Sequence, residues 1–489
     1  MDTYKGVFID GAWQPSTGDA MFPVINPYTE EGIGEASIGT AEDVDAAVKS
    51  AQRAMTQASW RATSLEERIA IVLRIKELML ERADELAASA SATMGVPYET
   101  YRGLGNSAQL IDMYVDMVRE VKFEYLRMDY SGDALIVRRP IGVVAAIVPW
   151  NVPIRTEVKK VIPAILAGCA VVLKPAPETP FTAAVFAEIC TEAGLPPGIM
   201  NLVLGDGTTG DCLVQHPLVR KVAFTGSSAV GSKIWTATSQ AFTRLQLELG
   251  GKSAAIVLDD VDVESATPWL AMGIFPFSGQ QCTATSRILA PRSRYDEVVE
   301  SMVTAARSYV LGDPMDAATT LGPLVAERQR TRVLNYVELG ESEGAKLVTG
   351  GRRPDDQPRG WFVEPTVFAE VANSMRIAQE EIFGPVVTII RYDDEDEAIA
   401  IANDSEYGLG GAVYSTDSDR ALAVARQVDS GYVSVNRYGI PSSTPFGGVK
   451  RSGIGREHGT EGYDSFLEYV PHPLTHDHAV ALAKTIPLG

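Results

Sequence analysis

Cysteine is scarce in this chain. There are four in 489 residues, at positions 169, 190, 212 and 282, and their irregular spacing excludes the disulfide framework of a small secreted fold. Histidine is nearly as rare, with five residues, and three of these fall in HPLTHDH (472–478). That segment is polar and has no cysteine beside it, so it reads as a solvated tail and no metal is expected. Basic residues are outnumbered, 43 against 63 acidic ones, for a net charge of −20. Such a surface argues against nucleic acid or an anionic membrane as partner, because both require clustered Lys and Arg. Long apolar runs are missing too. The longest, VIPAILAGCAVVL (161–173), contains Pro163 and falls short of the ~20 residues a membrane span needs. The opening stretch MDTYKGVFIDGAWQP shows no basic segment leading into an apolar core, so no secretory signal is expected. Together these absences point to a reducing, cytoplasmic setting, where a lone thiol stays a thiol.

What is present is an ordinary globular composition, 45% apolar and 22% charged, in a chain long enough for two or three domains. Residues 64–93 predict a helix: Ser64 with Glu67 forms a capping box, and apolar residues recur at helical spacing. From 141 to 262 the pattern changes. Short buried-strand runs (142–151, 168–176, 201–205, 221–226) alternate with helical stretches such as 182–194, which predicts βαβ units around a parallel sheet. A second α/β block runs from about 252 to 450. Two strand-like pieces, DALIVRRP (133–140) and SFLEYV (465–470), lie outside both blocks and suggest an arm that pairs with something, for instance another subunit. There is no repeat and no low-complexity segment.

Three glycine-rich stretches imitate nucleotide-binding motifs. GLGNSA (103–108) has dinucleotide-fingerprint spacing, yet no buried strand leads into it, so a loop or helix start is expected. In GSSAVGSK (226–233) Ser232 displaces the lysine of a P-loop by one position, and before LGGKS (249–253) Gln246 stands where the first glycine belongs. A nucleoside triphosphatase is therefore not the reading.

Other stretches carry chemistry. FTGSSAVG (224–231) joins a buried strand to a helix, where backbone amides and the helix dipole favour a phosphate; a plain tight turn is the alternative. Glu248 ends an apolar strand before two glycines, and a buried carboxyl there suits a general base, whereas an exposed strand end would be inert. Asn151, at the end of VPWN, offers an amide donor to an oxyanion. Cys282, in GQQCTATSR (279–287), sits among small polar residues, unlike the other three cysteines. A free cysteine alone is more often a small core residue than a catalyst.

These pieces come in register with others. PWN (149–151), KPAPETP (174–180), FTGSSAVG, ELGGKS (248–253), GQQCTATSR, EEIFGPV (380–386) and PFGGVKRSGIGRE (445–457) follow one another over nearly the whole chain. In that order and spacing they resemble the aldehyde dehydrogenase superfamily, specifically its hydrolytic, NAD(P)-dependent branch. The resemblance implies two doubly wound α/β domains and an oligomerisation arm. Residues 1–120 and 141–251 would bind the cofactor, 252–451 would carry the nucleophile, and 121–140 with 462–489 would form the arm. It implies that Cys282 attacks the aldehyde, that Asn151 holds the oxyanion, and that Glu248 activates the water that hydrolyses the thioester. Lys160 and Glu457 would relay the proton. For NAD, it places Gly226, Ser227 and Gly231 at the pyrophosphate with Gly207, Val230 and Leu249 near by. Lys174 would meet the adenosine ribose, Glu381 and Phe383 the nicotinamide half, and Ile147, Pro149 and Trp150 the cleft wall.

One position departs from the pattern. Pro177 stands where many NAD-preferring members carry a glutamate, which appears only at Glu178, so NADP stays open although NAD is favoured. The aldehyde tunnel would be lined by Tyr114, Val152, Gln281, Thr283, Ile440 and Phe446. That set suits a medium-sized neutral aliphatic or aromatic aldehyde, while Arg155 and Lys159 keep an acidic semialdehyde as the alternative. Three rival functions are weighed. A coenzyme A-acylating enzyme would not need Glu248, a cysteine hydrolase would need a histidine such as His458, and a non-enzymatic binding protein would have no use for the three reactive groups. A homodimer or homotetramer is expected from the arm.

Overall fold

The computed structural model describes residues 2–104 and 107–489. Its centre is the alternating region foreseen above. Val143–Ile147, Ala170–Lys174, Met200–Leu202, Val219–Thr225 and Arg244–Glu248 form a parallel sheet. Strands buried on both faces read as continuous apolar runs, and Val143 to Ala146 and Ala170 to Leu173 are fully buried. Val143–Ile147 lies in the middle of the order: the next two strands stack to one side of it, and the later two to the other. The crevice at its C-terminal end, between residues 148–151 and the turn after Thr225, is thus a topological switch point, where open α/β sheets bind ligands.

Three features were not foreseen. The N-terminal hairpin Val7–Ile9 and Ala12–Gln14 extends this sheet antiparallel through Met200–Leu202, turning at Asp10 and Gly11, whose φ values are +54° and +79°. An Asp-Gly pair suits such a turn because both residues tolerate φ > 0. Gly453–Ile454, late in the chain, closes the opposite edge against Arg244–Glu248. The helix expected over 64–93 is two helices, Leu65–Glu81 and Ala83–Met94, broken at Arg82; the capping box of Ser64 and Glu67 is present. The lookalike GLGNSA separates the helices Tyr98–Leu104 and Ser107–Arg119; Gly105 and Asn106 within it lie outside the described residues.

A second sheet of seven strands includes Ala254–Val257, six positions past Glu248 in the chain, with Arg287–Pro291 beside it. Two apolar clusters, around Ile256, Leu289 and Phe368 and around Val257, Ile288 and Met302, form its core. The arm pieces Gly132–Pro140 and Leu467–Leu474 pair with each other and with Glu124–Asp129 in a three-stranded antiparallel sheet. Along Leu467–Leu474 half-buried and exposed residues alternate after a buried Leu467, the period-two pattern of a strand whose two faces differ in cover. Among the described residues no helix is long and apolar enough to cross a membrane.

Candidate active site

The C-terminal edge of the first sheet and the approach to the second enclose a cavity of about 450 Å³. Its wall includes Asn151, Glu248 and Cys282, three residues far apart in the chain. Each arrives by a different route. Asn151 follows the central strand and precedes the helix Pro153–Ala167, Glu248 ends a strand, and Cys282 lies in the irregular stretch before Arg287–Pro291.

Glu248 is buried, and neither carboxyl oxygen has a hydrogen-bond partner. Burial, and then the negative charge of Glu457, push its carboxyl well above the ordinary range. Burial alone would raise Glu457 too, but Lys160, whose Nζ is 2.6 Å from Oε1, and Lys159, 3.6 Å from Oε2, hold it below the ordinary range. Two buried carboxyls thus sit in opposite protonation states beside a pair of lysines, the arrangement acid–base chemistry requires. Cys282 is half-buried, and burial followed by the nearby Glu381 pushes its thiol up to about 12. The thiol is therefore protonated at rest, and attack needs a base. Asn151 donates from Nδ2 to the Gln280 carbonyl at 2.8 Å. An amide nitrogen carries two N–H groups, so one stays available to an oxyanion.

The cofactor positions fit a dinucleotide. Ser227 caps the helix Ser228–Thr238 by accepting from Val230 N, and the Gly226 N–H donates to the Glu248 carbonyl at 3.0 Å. A Cβ on Gly231 would lie 2.6 Å from the Leu249 side chain, so the turn stays flush only with glycine there. Lys174 is buried and gives one hydrogen bond, to the Pro175 carbonyl at 2.9 Å, leaving two donors of its ammonium; burial lowers it to about 8. Gly207 opens the helix Gly207–Val214. Ile147 and Pro149 line the strand end, and the rings of Trp150 and Phe383 meet edge-on at 5.4 Å, with Phe383 at φ +63°. Glu381 accepts from the Gly251 N–H at 3.0 Å, and burial lifts its carboxyl to about 7. Glu178, offset from the usual position, is ion-paired with Arg328.

Of the expected tunnel residues, Val152, Gln281, Thr283, Ile440 and Phe446 line the cavity. Tyr114 does not. It is buried behind His458, with ring centroids 6.4 Å apart, and its hydroxyl donates to the Lys159 carbonyl at 3.4 Å. The resemblance gives the position in the chain but not which side chain from a distant segment packs in front of it. The sequence reading missed Tyr101, Phe277, Tyr432 and Tyr438, which give the wall an aromatic character. The Thr283 and Tyr438 hydroxyls are hydrogen-bonded at 2.7 Å. His458 lines the same cavity, but both its ring nitrogens lack hydrogen-bond partners, so among the described residues it is not bonded to Cys282 as the base of a cysteine hydrolase would be.

Comparison with known proteins agrees with this geometry. The family model described as "Aldehyde dehydrogenase family" matches residues 13–470. The chain is 44% identical to a geranial dehydrogenase of Castellaniella defragrans, over 95% of this chain and 98% of that one. It is 42% identical to a 3-succinoylsemialdehyde-pyridine dehydrogenase of a Pseudomonas species, over 96% and 98%. Among solved structures, a Mycobacterium tuberculosis aldehyde dehydrogenase complexed with NAD+ superposes with a TM-score of 0.95 at 42% identity, covering 96% of this chain and 98% of that one. A mutant aldehyde dehydrogenase C of Pseudomonas syringae, complexed with NAD+ and octanal, does so at 0.93 and 41%, covering 96% of each. The chain belongs to the aldehyde dehydrogenase family and is an NAD(P)-dependent aldehyde dehydrogenase.

Proposed function

We propose that this chain converts a medium-sized aldehyde with a neutral, apolar aliphatic or aromatic body into the carboxylic acid. Cys282 is the nucleophile, Asn151 the oxyanion donor and Glu248 the general base. The observation that carries the assignment is the convergence of Cys282, Asn151 and a partnerless buried Glu248 on one cavity, beside the Lys160–Glu457 pair. Glu248 first gives its resting proton to the ionised Glu457. The carboxylate so formed takes the thiol proton as Cys282 attacks the carbonyl carbon and hands it on by the same route, while the free N–H of Asn151 stabilises the oxyanion of the thiohemiacetal. Bound NAD(P) supplies the acceptor for the hydride lost from that carbon. Glu248 then removes a proton from the water that attacks the Cys282 thioester, and the acid leaves with the thiol restored. Glu457 and Lys160 pass the proton outward. Two lysines keep Glu457 ionised, so it can accept a proton that Glu248 gives up.

NAD is the proposed cofactor. Lys174 is buried with two ammonium donors left over, and the Glu178 carboxylate, ion-paired with Arg328 beside Pro177, puts a negative charge near that end of the site, which disfavours a 2′-phosphate. The apolar body of the substrate is supported by the aromatic wall and by the geranial and octanal named for two relatives. A homo-oligomer is proposed through the arm. Residues 487–489 cover the Glu124–Asp129 edge by backbone hydrogen bonds with Leu126, whereas Leu467–Leu474 is an edge strand of the sheet. The deciding assay is a panel of aldehydes with NAD and NADP, read as nicotinamide absorbance. Benzaldehyde and hexanal are oxidised with NAD in preference to NADP; absence of reduced cofactor with every aldehyde refutes the reading.

A further inference from the structure

One stretch of the cavity wall is charged in a way that the oxidation steps leave unexplained. The helix Pro153–Ala167 presents Arg155 and Lys159, one turn apart, to the cavity, and His458 joins them from the other side of Glu457. This cluster holds a single ionised carboxylate. Glu457 is shared between Lys160 at 2.6 Å and Lys159 at 3.6 Å. Among the described residues no carboxylate lies within 4.0 Å of Arg155; its guanidinium makes one side-chain hydrogen bond, to the Ser442 hydroxyl at 3.3 Å. His458 is 3% exposed, packs between Tyr114 and Phe446, and has no partner for either ring nitrogen.

A guanidinium has five donors, and a neutral imidazole has one donor and one acceptor. A buried imidazole with no partner, beside a half-buried guanidinium whose single side-chain hydrogen bond goes to a neutral hydroxyl, leaves a deficit that a ligand can restore. The unmet demand here is for negative charge. The cavity-facing cations Arg155 and Lys159, with Lys160 behind them, outnumber the one ionised carboxylate, and the neighbouring Glu248 is held neutral. This positive wall lies in a chain of net charge −20, so it is a local feature and not the general character of the surface. The group it meets is not the aldehyde itself, because that oxygen is held at Asn151. At about 450 Å³ the cavity has room for a second functional group beyond the reacting carbon.

We infer that the cavity-facing side chains of Arg155 and His458 form a subsite for a carboxylate at the far end of the substrate, so that the preferred aldehyde has an apolar body ending in an acid. This deepens the proposed aldehyde oxidation and rests on it. Arg155 receives the carboxylate through charge-assisted hydrogen bonds and the His458 N–H adds another. The apolar stem passes Phe446 and Ile440. The same wall repels an ammonium-terminated aldehyde, although relatives 39–41% identical are named aminoaldehyde dehydrogenases.

The test compares kcat/KM for hexanal, 6-oxohexanoate and 6-aminohexanal with NAD, in the wild-type enzyme and in the variants R155M and R155K. The wild type favours 6-oxohexanoate over hexanal by about ten- to a hundred-fold, through KM, and 6-aminohexanal is poorest. In R155M the ratio of 6-oxohexanoate to hexanal collapses toward unity, and in R155K it keeps an intermediate value. Equal or better use of hexanal by the wild type, or an unchanged ratio in R155M, overturns the subsite while leaving aldehyde oxidation intact. If R155M does not fold, R155K decides, and an undiminished ratio there overturns the subsite as well. If no aldehyde reduces NAD, the oxidation reading fails with it.

Discussion

Replacing Glu248 with glutamine tests the division of labour at the site. Both Glu248 oxygens lack hydrogen-bond partners and its carboxyl is held neutral by burial and by Glu457, so an amide of the same shape breaks no hydrogen bond present in the resting enzyme. The expected damage is chemical. General-base assistance contributes about 10²–10⁴-fold, or about 3–5 kcal/mol, to a step that needs it. In E248Q, thioester hydrolysis loses that amount. Where a second base, bulk hydroxide at high pH, still removes the thiol proton, the first turnover proceeds, and stopped-flow absorbance shows a burst of one reduced cofactor per subunit followed by a steady state slowed about 10²–10⁴-fold. The pH profile of the wild type follows from the sign of the shift. Glu248 is a base only when ionised, and its pKa lies above the ordinary carboxyl range. The steady-state rate therefore climbs with pH at values above that range and is small below it, and in E248Q this carboxylate limb is replaced by a slower, hydroxide-dependent rise at higher pH. An E248Q enzyme that keeps the wild-type steady-state rate, with no burst and the same pH limb, refutes the role of Glu248.

Two further outcomes follow from buried charges. Lys160→Met strands Glu457, and breaking such a pair costs about 3–5 kcal/mol; the second cation, Lys159, is 3.6 Å away and keeps the loss at the lower end, measured as a reduced urea midpoint. A midpoint equal to that of the wild type contradicts the pairing. Glu157 is fully buried, accepts only from Thr182 at 3.1 Å, and burial lifts it to about 8. Its folded pKa is above its unfolded one, so its contribution to stability is complete below the unfolded value near 4.5 and is lost as pH rises to about 8. Glu157→Gln therefore matches the wild type in urea at pH 5 and is the more stable protein at pH 8; the reverse order sinks the argument.

How much of this was legible in the chain depends on the range of the forces involved. The buried strands from Val143 to Thr225 were visible because burial on both faces leaves a continuous apolar signature over four or five residues. The order of motifs then brought Cys282, Asn151 and Glu248 to one family, and the cavity unites them. What stayed hidden was decided by contacts between distant segments. Gly453–Ile454 is too short to signal a strand, yet it pairs with Arg244–Glu248 and sets the edge on which the base sits. The hairpin turning at Asp10–Gly11 was not read from the sequence, although the Asp-Gly pair suits its turn, and its place on the first sheet depends on Leu202, about 190 positions later. Tyr114 was placed in the tunnel by the family resemblance, yet its ring packs against His458, some 340 residues further on, and does not line the cavity. The charge of the tunnel was only half legible. The sequence named Arg155 and Lys159, one turn apart on a helix, as cations that would suit an acidic semialdehyde, but not which of them has a counter-charge. Only the fold shows that the single ionised carboxylate near them is already shared by Lys159 and Lys160, which leaves Arg155 without a counter-charge. Specificity at this site is thus set by a missing partner, which no local pattern in the sequence records.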